Sequence, residues 1–436
     1  MKLDTQQQEC WEFVRQGKNI WITGSAGCGK SFTVRYILHQ LVRSGKKVAC
    51  TAMTGCAATL LDRNATTLHS YLGIGYAKDS EENLCDRIRK RSFYWKRWKQ
   101  MEVLLIDEVS MLGPRLFNTL ESMARQLRNR KEERFGGVQL ILVGDFFQLP
   151  PVEETQFLFE SPRFKECIDH SMLLQTVYRQ REDQEWFDML QHIRWGVFTK
   201  RDQKLLRERL SPSMDLHEVP HLYSKNNKIR KINEDRLSGL PTASHKSYTA
   251  KKIQGPPTMD IQDICRRWGI EETLHLATGA MVMLTGNLDI SQGYVNGSQG
   301  RIVGFSMGGN PVVEFRNTQQ QKEIMPHEYR GEDPVSKTTL VLSQIPLQLA
   351  WAVSIHKVQG QSMESAYMDL GEDIFEYGQI YVALSRIPHR KGVFLKSLDL
   401  DRIQANPKVV QFYQEWFPRK VCCPNNGKEN LHHNGS

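Results

Sequence analysis

Asn19-Ile20-Trp21-Ile22-Thr23-Gly24-Ser25-Ala26-Gly27-Cys28-Gly29-Lys30-Ser31 is the stretch on which the reading of the whole chain turns. The first five residues form a short apolar strand, and the next eight fit Gly-x-x-x-x-Gly-Lys-Ser. From Ser31 to Val42, Phe32, Val34, Ile37, Leu38 and Leu41 then recur at helical spacing. Strand, glycine-rich turn and helix in that order make a phosphate-binding loop. Its glycines let backbone N–H groups close around phosphate oxygens at a helix N-terminus, where the aligned peptide dipoles favour an anion. Gly24, Ser25, Ala26, Gly27, Cys28, Gly29, Lys30 and Ser31 are thus the candidate nucleotide-binding residues. Lys30 is placed to reach the β- and γ-phosphates, and the Ser31 hydroxyl to ligate Mg2+.

Three further apolar runs, at 47–51, 103–107 and 139–145, read as short strands buried on both faces of a parallel sheet. An α/β core follows, with functional loops at the strand ends. The strand Val103-Leu104-Leu105-Ile106 delivers Asp107-Glu108 to its C-terminal end. A metal-bound nucleotide needs a carboxylate for Mg2+, here Asp107, and a general base for the attacking water, here Glu108. Gly144-Asp145-Phe146-Phe147-Gln148-Leu149-Pro150-Pro151 ends the next strand, where Gln148 can sense a γ-phosphate or position water. Leu-Pro-Pro would also simply terminate the sheet, and the two readings are compatible.

Composition narrows the class. A length of 436 residues suggests about three structural units. Hydrophobic residues at 40% and charged residues at 25% are globular values and exclude a disordered or fibrous chain. Fifty-eight Lys and Arg against 49 Asp and Glu give a net charge of +9, which suits an anionic partner such as nucleic acid, though a merely basic enzyme would show the same balance. No apolar run reaches the roughly 18 residues of a membrane span, and the start has neither signal-peptide nor transit character. The nine cysteines show no Cys-x-x-Cys spacing, so reduced thiols are expected. Cys422, Cys423, His432 and His433 fit zinc-finger spacing poorly. The expectation is an intracellular, soluble protein with no membrane partner.

Between residues 87 and 99 seven cations alternate with Phe93, Tyr94, Trp95 and Trp98, without one acidic residue. Cations that track phosphates and rings that stack on bases suit single-stranded nucleic acid; an amphipathic helix with buried rings and a solvated face has the same composition. Farther on, Asn296-Gly297, Gly308-Gly309-Asn310-Pro311 and the alternating Pro311-Val312-Val313-Glu314-Phe315 read as hairpins. They define a small β module at about 301–345 that interrupts a second α/β unit, resuming at Leu347-Gln348-Leu349-Ala350-Trp351-Ala352-Val353. The tail, 421–436, reads as polar and mobile.

The ordered motifs resemble the petite-integration-frequency (PIF) family of DNA helicases, in the 5′-to-3′ branch of helicase superfamily one, from Leu3 to Arg386. Leu3-Asp4-Thr5-Gln6-Gln7 is similar to the motif whose glutamine, Gln7, reads adenine. Thr51-Ala52-Met53-Thr54-Gly55-Cys56-Ala57-Ala58 and Thr66-Thr67-Leu68-His69-Ser70 resemble the two motifs that contact single-stranded DNA, which implies roles for Thr54, Gly55, Thr67 and His69. Phe135-Gly136-Gly137-Val138-Gln139 is the most family-specific segment and argues against a RecD-like alternative. Val177-Tyr178-Arg179-Gln180 looks like the site of one arginine finger, Arg179. Tyr381-Val382-Ala383-Leu384-Ser385-Arg386 looks like that of a second, Arg386. Ser354-Ile355-His356-Lys357-Val358-Gln359-Gly360-Gln361-Ser362 resembles the motif joining DNA contact, at His356, to nucleotide contact, at Gly360. Met53, Cys28 and Val358 depart from the residues usual at their positions.

The resemblance implies two RecA-like domains, at 1–170 and at 171–300 with 346–420. It adds a wedge insertion at about 62–95 in the first and a Src-homology-three-like insertion at 301–345 in the second. The implied activity is an ATP- and Mg2+-dependent helicase translocating 5′ to 3′, in replication, repair, recombination or telomere and genome maintenance. The implied partners are single-stranded DNA and forked or tailed duplex, with G-quadruplexes and RNA–DNA hybrids as further targets, and the free protein is expected to be a monomer. A DNA-binding scaffold that uses ATP only as a switch is the competing class, and joint retention of Glu108, Gln148, Arg179 and Arg386 argues against it.

Overall fold

Six short strands, β1 (Ile20–Gly24), β2 (Val48–Ala52), β3 (Thr66–Thr67), β4 (Val103–Asp107), β5 (Gln139–Val143) and β6 (His170–Leu174), make one parallel sheet in the order β3-β2-β4-β5-β1-β6. Strands β1 and β4 are buried along their whole length, as continuous apolar runs between two helical layers must be. Parallel pairing brings the C-terminal ends to one edge: Ile22 lies beside Val143, Ile106 beside Leu142 and Ala52 beside Asp107. The phosphate loop, Asp107-Glu108 and the Gly144–Gln148 turn all leave from that edge. The computed structural model describes residues 3–418 apart from 63–64, 76, 78, 152–153, 212–218, 256–259, 269, 287, 290–291, 293, 295–296, 317 and 333–338. The expected polar tail and its Cys/His group lie outside the described residues, as does Asn296.

A second parallel sheet has four strands, in the order Ala352–Ser354, His221–Tyr223, Ala366–Leu370, Val393–Leu398. Between its first strand in the chain and the other three lie antiparallel strands, among them Met281–Leu284, Gln299–Phe305 and Pro311–Phe315. Among the described residues no helix is long and apolar enough to cross a membrane.

Four sequence expectations need correction. Residue 170 is no boundary, because β6 begins there and pairs with β1 along its length; His170-Ser171 opens this strand with polar residues and hides it. The β-rich region is wider than 301–345, since antiparallel pairing starts at His245. The run 347–353 is two strands: Leu347–Leu349 pairs antiparallel with Met281–Leu284, and Ala352–Ser354 joins the parallel sheet. An apolar run records burial and not the partner strand, so the change of sheet at Ala350-Trp351 is invisible in it. Finally, the helix Pro407–Trp416 follows the second sheet in the chain but packs Phe412 and Tyr413 into the core around Trp21 of β1.

Residues 87–99 settle between the two readings. They fall on the helices Glu81–Arg89 and Ser92–Gln100, with Lys90 and Arg91 in the joint between them. Trp98 is fully buried, its indole N–H donating to Leu72 O at 3.0 Å, and Tyr94 and Trp95 pack against the core. Arg97 lies over the rings of Tyr71 and Phe93 and donates to Tyr71 O. The amphipathic helix thus describes the rings, except Phe93, which is exposed alongside Lys90, Lys96 and Lys99.

Candidate nucleotide and DNA site

The helix Lys30–Arg43 starts from Gly29, whose φ of +84° is a left-handed conformation that costs glycine little. A Cβ there would stand 2.8 Å from Gln7 Nε2 and 3.0 Å from the Tyr178 ring. Gln7 therefore reaches the loop. Its Oε1 accepts from Asp4 N (3.1 Å) in the capping box of the helix Thr5–Arg15, while its buried Nε2 has no protein partner. A buried donor left over beside a phosphate loop fits a bound nucleotide. The Tyr178 hydroxyl donates to Asp4 Oδ2 at 2.6 Å, tying the two ends of this wall together.

Lys30 Nζ donates to the carbonyls of Gly24 (2.8 Å) and Ser25 (2.9 Å), so the loop's own backbone holds this ammonium. Asp107 and Glu108 both lie under a tenth exposed. Burial, aided by the Glu108 charge, raises the Asp107 carboxyl above the usual carboxylate range, and Lys30 opposes the shift. Glu108 adopts φ +55°, ψ +44°, a strained conformation for a residue with a side chain. Its Oε2 accepts from Gln359 Nε2 (2.9 Å), which comes from the second sheet's side. Gln148, 5% exposed, keeps a buried Oε1 without a protein partner.

The two arginines meet at the seam. Arg179 follows β6, its backbone N–H donating to Gly27 O, and its Nη1 donates to Ser385 O (3.0 Å). It therefore sits against the phosphate loop itself. Burial, with the neighbouring Arg386, lowers it to about 10. Arg386, 2% exposed, donates to Val382 O, Ser385 Oγ and Gln361 O, and burial lowers its pKa against the opposing pull of Glu108. Tyr381, one turn earlier, accepts from Ala26 N (2.8 Å), so this helix also touches the phosphate loop. A cavity of about 440 Å³ is lined by Ser31, Arg35 and Arg179 on one side and by Gly360, Gln361 and Arg316 on the other. Ser31 and Arg179 from one half and Gly360 from the other thus border one cleft.

The candidate DNA residues fall on two sheets. Thr54 follows β2 and Thr67 ends the neighbouring β3, and their hydroxyls cap helices by accepting from Ala57 N and Ser70 N respectively. Gly55 is exposed with open space around it. His69 lies on the helix Leu68–Leu72, and His356 follows the strand Ala352–Ser354 of the second sheet. Burial lowers both imidazoles, which favours neutral rings that stack or hydrogen-bond over cations that pair with phosphate.

Sequence reasoning missed a cross-chain joint at Asp145. This fully buried carboxylate accepts two hydrogen bonds from Arg194 (2.8 and 2.9 Å) and one from Tyr413 OH (3.2 Å), while Thr23 Oγ1 lies 2.6 Å from that hydroxyl. The Arg194 guanidinium lies over Phe147, 4.3 Å from its centroid. Partners 49 and 268 positions away leave no local signal.

This fold and cleft define an α/β protein with two parallel sheets and a phosphate-binding loop at the edge of the first. The PIF1-like helicase family matches residues 2–204, and the 2B domain of DNA helicase Pif1 matches 270–305. The chain is 37% identical to the ATP-dependent DNA helicase PIF1 of Xenopus laevis over 95% of its own length and 64% of the relative's. Its structure is similar to that of the Pif1 helicase from Candida albicans, with a TM-score of 0.85 and 31% identity, covering 95% of this chain and all of that one. It also resembles a Bacteroides Pif1 helicase solved with ADP-AlF3 and single-stranded DNA, with a TM-score of 0.70 and 27% identity over 96% and 98% of the two chains. The chain belongs to the PIF1-like helicase family. It spans just under two thirds of the length of the curated relatives it matches.

Proposed function

We propose that this chain is an ATP-dependent DNA helicase that moves 5′ to 3′ along a single strand and opens duplex ahead of it. The observation that carries the reading is the meeting at one seam of the Lys30, Asp107, Glu108 and Arg179 group with Gln359 and Arg386 of the second sheet's side. The residues present fit Mg2+-ATP: Gln7 for adenine, Gly24 to Ser31 and Gly360 for the phosphates, Ser31 and Asp107 for the metal. When bound, Mg2+-ATP supplies an activated γ-phosphoryl group. Glu108 takes the proton of the attacking water, Gln148 orients that water, and Lys30, Arg179 and Arg386 stabilise the charge developing on the oxygens. Lys30 and Arg386 must first exchange their present carbonyl partners for phosphate, which ties turnover to movement at the seam.

The strand would lie along Thr54, Gly55, Thr67 and His69 of the first unit and His356 of the second, so its position biases closure. We assign the first unit to the six-stranded sheet with the C-terminal helix, and the second to the four-stranded sheet with the antiparallel region inserted in it. Forked and tailed duplexes are the substrates this predicts, with G-quadruplexes and RNA–DNA hybrids as further ones. Strand displacement on duplexes with only a 5′ or only a 3′ tail tests the reading. Displacement of the 5′-tailed duplex with ATP and Mg2+ is expected; preference for the 3′ tail, or no ATP-dependent displacement of either, contradicts it.

A further inference from the structure

The segment after the strand Ala366–Leu370 carries an aromatic residue that its surroundings do not bury. Phe375 is 61% exposed, although two residues on either side hold its backbone firmly. Before it, Asp373 is paired by Lys225 and Lys228, and its carbonyl accepts from Ser224 Oγ at 2.7 Å. After it, the fully buried Gln379 accepts from the backbone N–H groups of both Phe375 (3.1 Å) and Glu376 (3.3 Å) through one Oε1. An exposed phenyl on a fixed loop loses little entropy when it is covered, which suits a binding face more than a stray surface residue.

Its inner neighbour is His356. The rings are nearly parallel, at 19°, with centroids 6.3 Å apart, and burial favours the neutral imidazole. Phe375 is thus the open end of a short aromatic stack. At the foot of the loop, Lys225 and Lys228 pair with Asp373, and Lys228 and Lys396 with Asp369, which fixes the base of the segment. A flat apolar ring that continues a stack from His356, which the proposed reading sets along the single strand, offers the next nucleobase a face to stack on.

The same segment touches the nucleotide side. Gly378 has φ +77°, and a Cβ there would stand 2.5 Å from Phe147 O and 3.1 Å from Gln148 O, so the backbone lies directly against the turn bearing Gln148. Gln379 opens the helix Gln379–Ser385, which carries Tyr381 and leads into Arg386. We infer that Phe375, stacked on His356, is a base-stacking platform for the single strand, and that Gln379 is a positioning residue linking this platform to the Gln148 turn and the Arg386 helix. The inference rests on the proposed helicase reading and names a DNA contact and a coupling route within it.

Fluorescence anisotropy with a labelled oligothymidine of about 15 nucleotides, taken over a salt series, tests it alongside ATP turnover against oligonucleotide concentration. Phe375→Ala is expected to bind about 5- to 100-fold more weakly with an unchanged log–log salt slope, because no phosphate contact is lost. Phe375→Trp should bind at least as tightly as the parent. The concentration giving half-maximal stimulation of turnover should rise with the loss of affinity in Phe375→Ala. Parent-like binding by Phe375→Ala, with an unshifted melting transition, overturns the platform while leaving the helicase reading intact. A similar loss in both variants also overturns it, since stacking would not be the cause. Failure of the unmodified protein to bind the oligonucleotide overturns both readings.

Discussion

The two halves of the molecule touch in two unlike ways. At Asp145 the contact is a fixed joint: a fully buried carboxylate accepts from Arg194 Nε and Nη2, while Tyr413 of its own unit donates a third hydrogen bond, under a lid of aromatic rings. At the nucleotide cleft the contacts are single hydrogen bonds, Arg179 to Ser385 O, Gln359 to Glu108 and Ala26 N to Tyr381. Removing one partner of a buried ion pair costs about 3–5 kcal/mol, whereas one hydrogen bond contributes about 0.5–1.5 kcal/mol, or about 1.5–3 kcal/mol where one partner is charged, as at Arg179 and Glu108. The lesson is a division of labour. One joint holds the halves together, and the other is weak enough to be rearranged within a catalytic cycle.

Substitutions on the two sides should therefore separate stability from turnover. Glu108→Gln keeps an acceptor for Gln359 and removes the base. Its turnover should fall about 10²- to 10⁴-fold with nucleotide binding retained, as single-turnover hydrolysis and a nucleotide-binding titration would read. Loss of nucleotide binding instead would assign Glu108 to the metal. Asp145→Ala should lower unfolding free energy by about 3–5 kcal/mol in urea denaturation, because it strands the Arg194 guanidinium. A change under about 1 kcal/mol would show that the joint behaves like a surface pair.

Arg89, Lys90, Lys96 and Lys99 are the exposed cations of the 87–99 stretch; Arg89 is paired with Asp86, and Arg97 is occupied by Tyr71. Replacing the three lysines with glutamine should reduce the log–log salt slope of single-strand binding by about two, at roughly 0.7 per phosphate. An unchanged slope makes this helix structural only. The smallest effect belongs to Tyr381→Phe, which removes the hydroxyl that accepts from Ala26 N. It should cost about 0.5–1.5 kcal/mol, seen mainly as altered nucleotide affinity.

The same contrast explains what was legible in the sequence. The phosphate loop, β4 and β5 announce themselves because each is a contiguous run whose chemistry is local. Gln148 and Asp107-Glu108 could be placed at strand ends for that reason. The Asp145–Arg194–Tyr413 joint could not, since an Asp in a Gly-Asp-Phe-Phe turn, an Arg in the helix Gln184–Trp195 and a Tyr near the C-terminus share no spacing. Arg179 was expected across the seam, but its backbone bond to Gly27 sets it beside the phosphate loop. Phe375 was passed over because exposure is decided by what packs around a ring, and Phe-Glu-Tyr alone does not reveal it.

Arg386 lies where both kinds of contact can be told apart, since it is buried like the fixed joint yet bonded only to its own unit. ATP turnover of Arg386→Ala, with and without single-stranded DNA and corrected for folded fraction, is the most direct test. The account predicts strong DNA stimulation in the parent and a loss of roughly a thousandfold in the variant, with ATP and DNA still bound. Reduced stability with near-normal turnover per folded molecule would contradict it and make Arg386 a structural residue of the second unit.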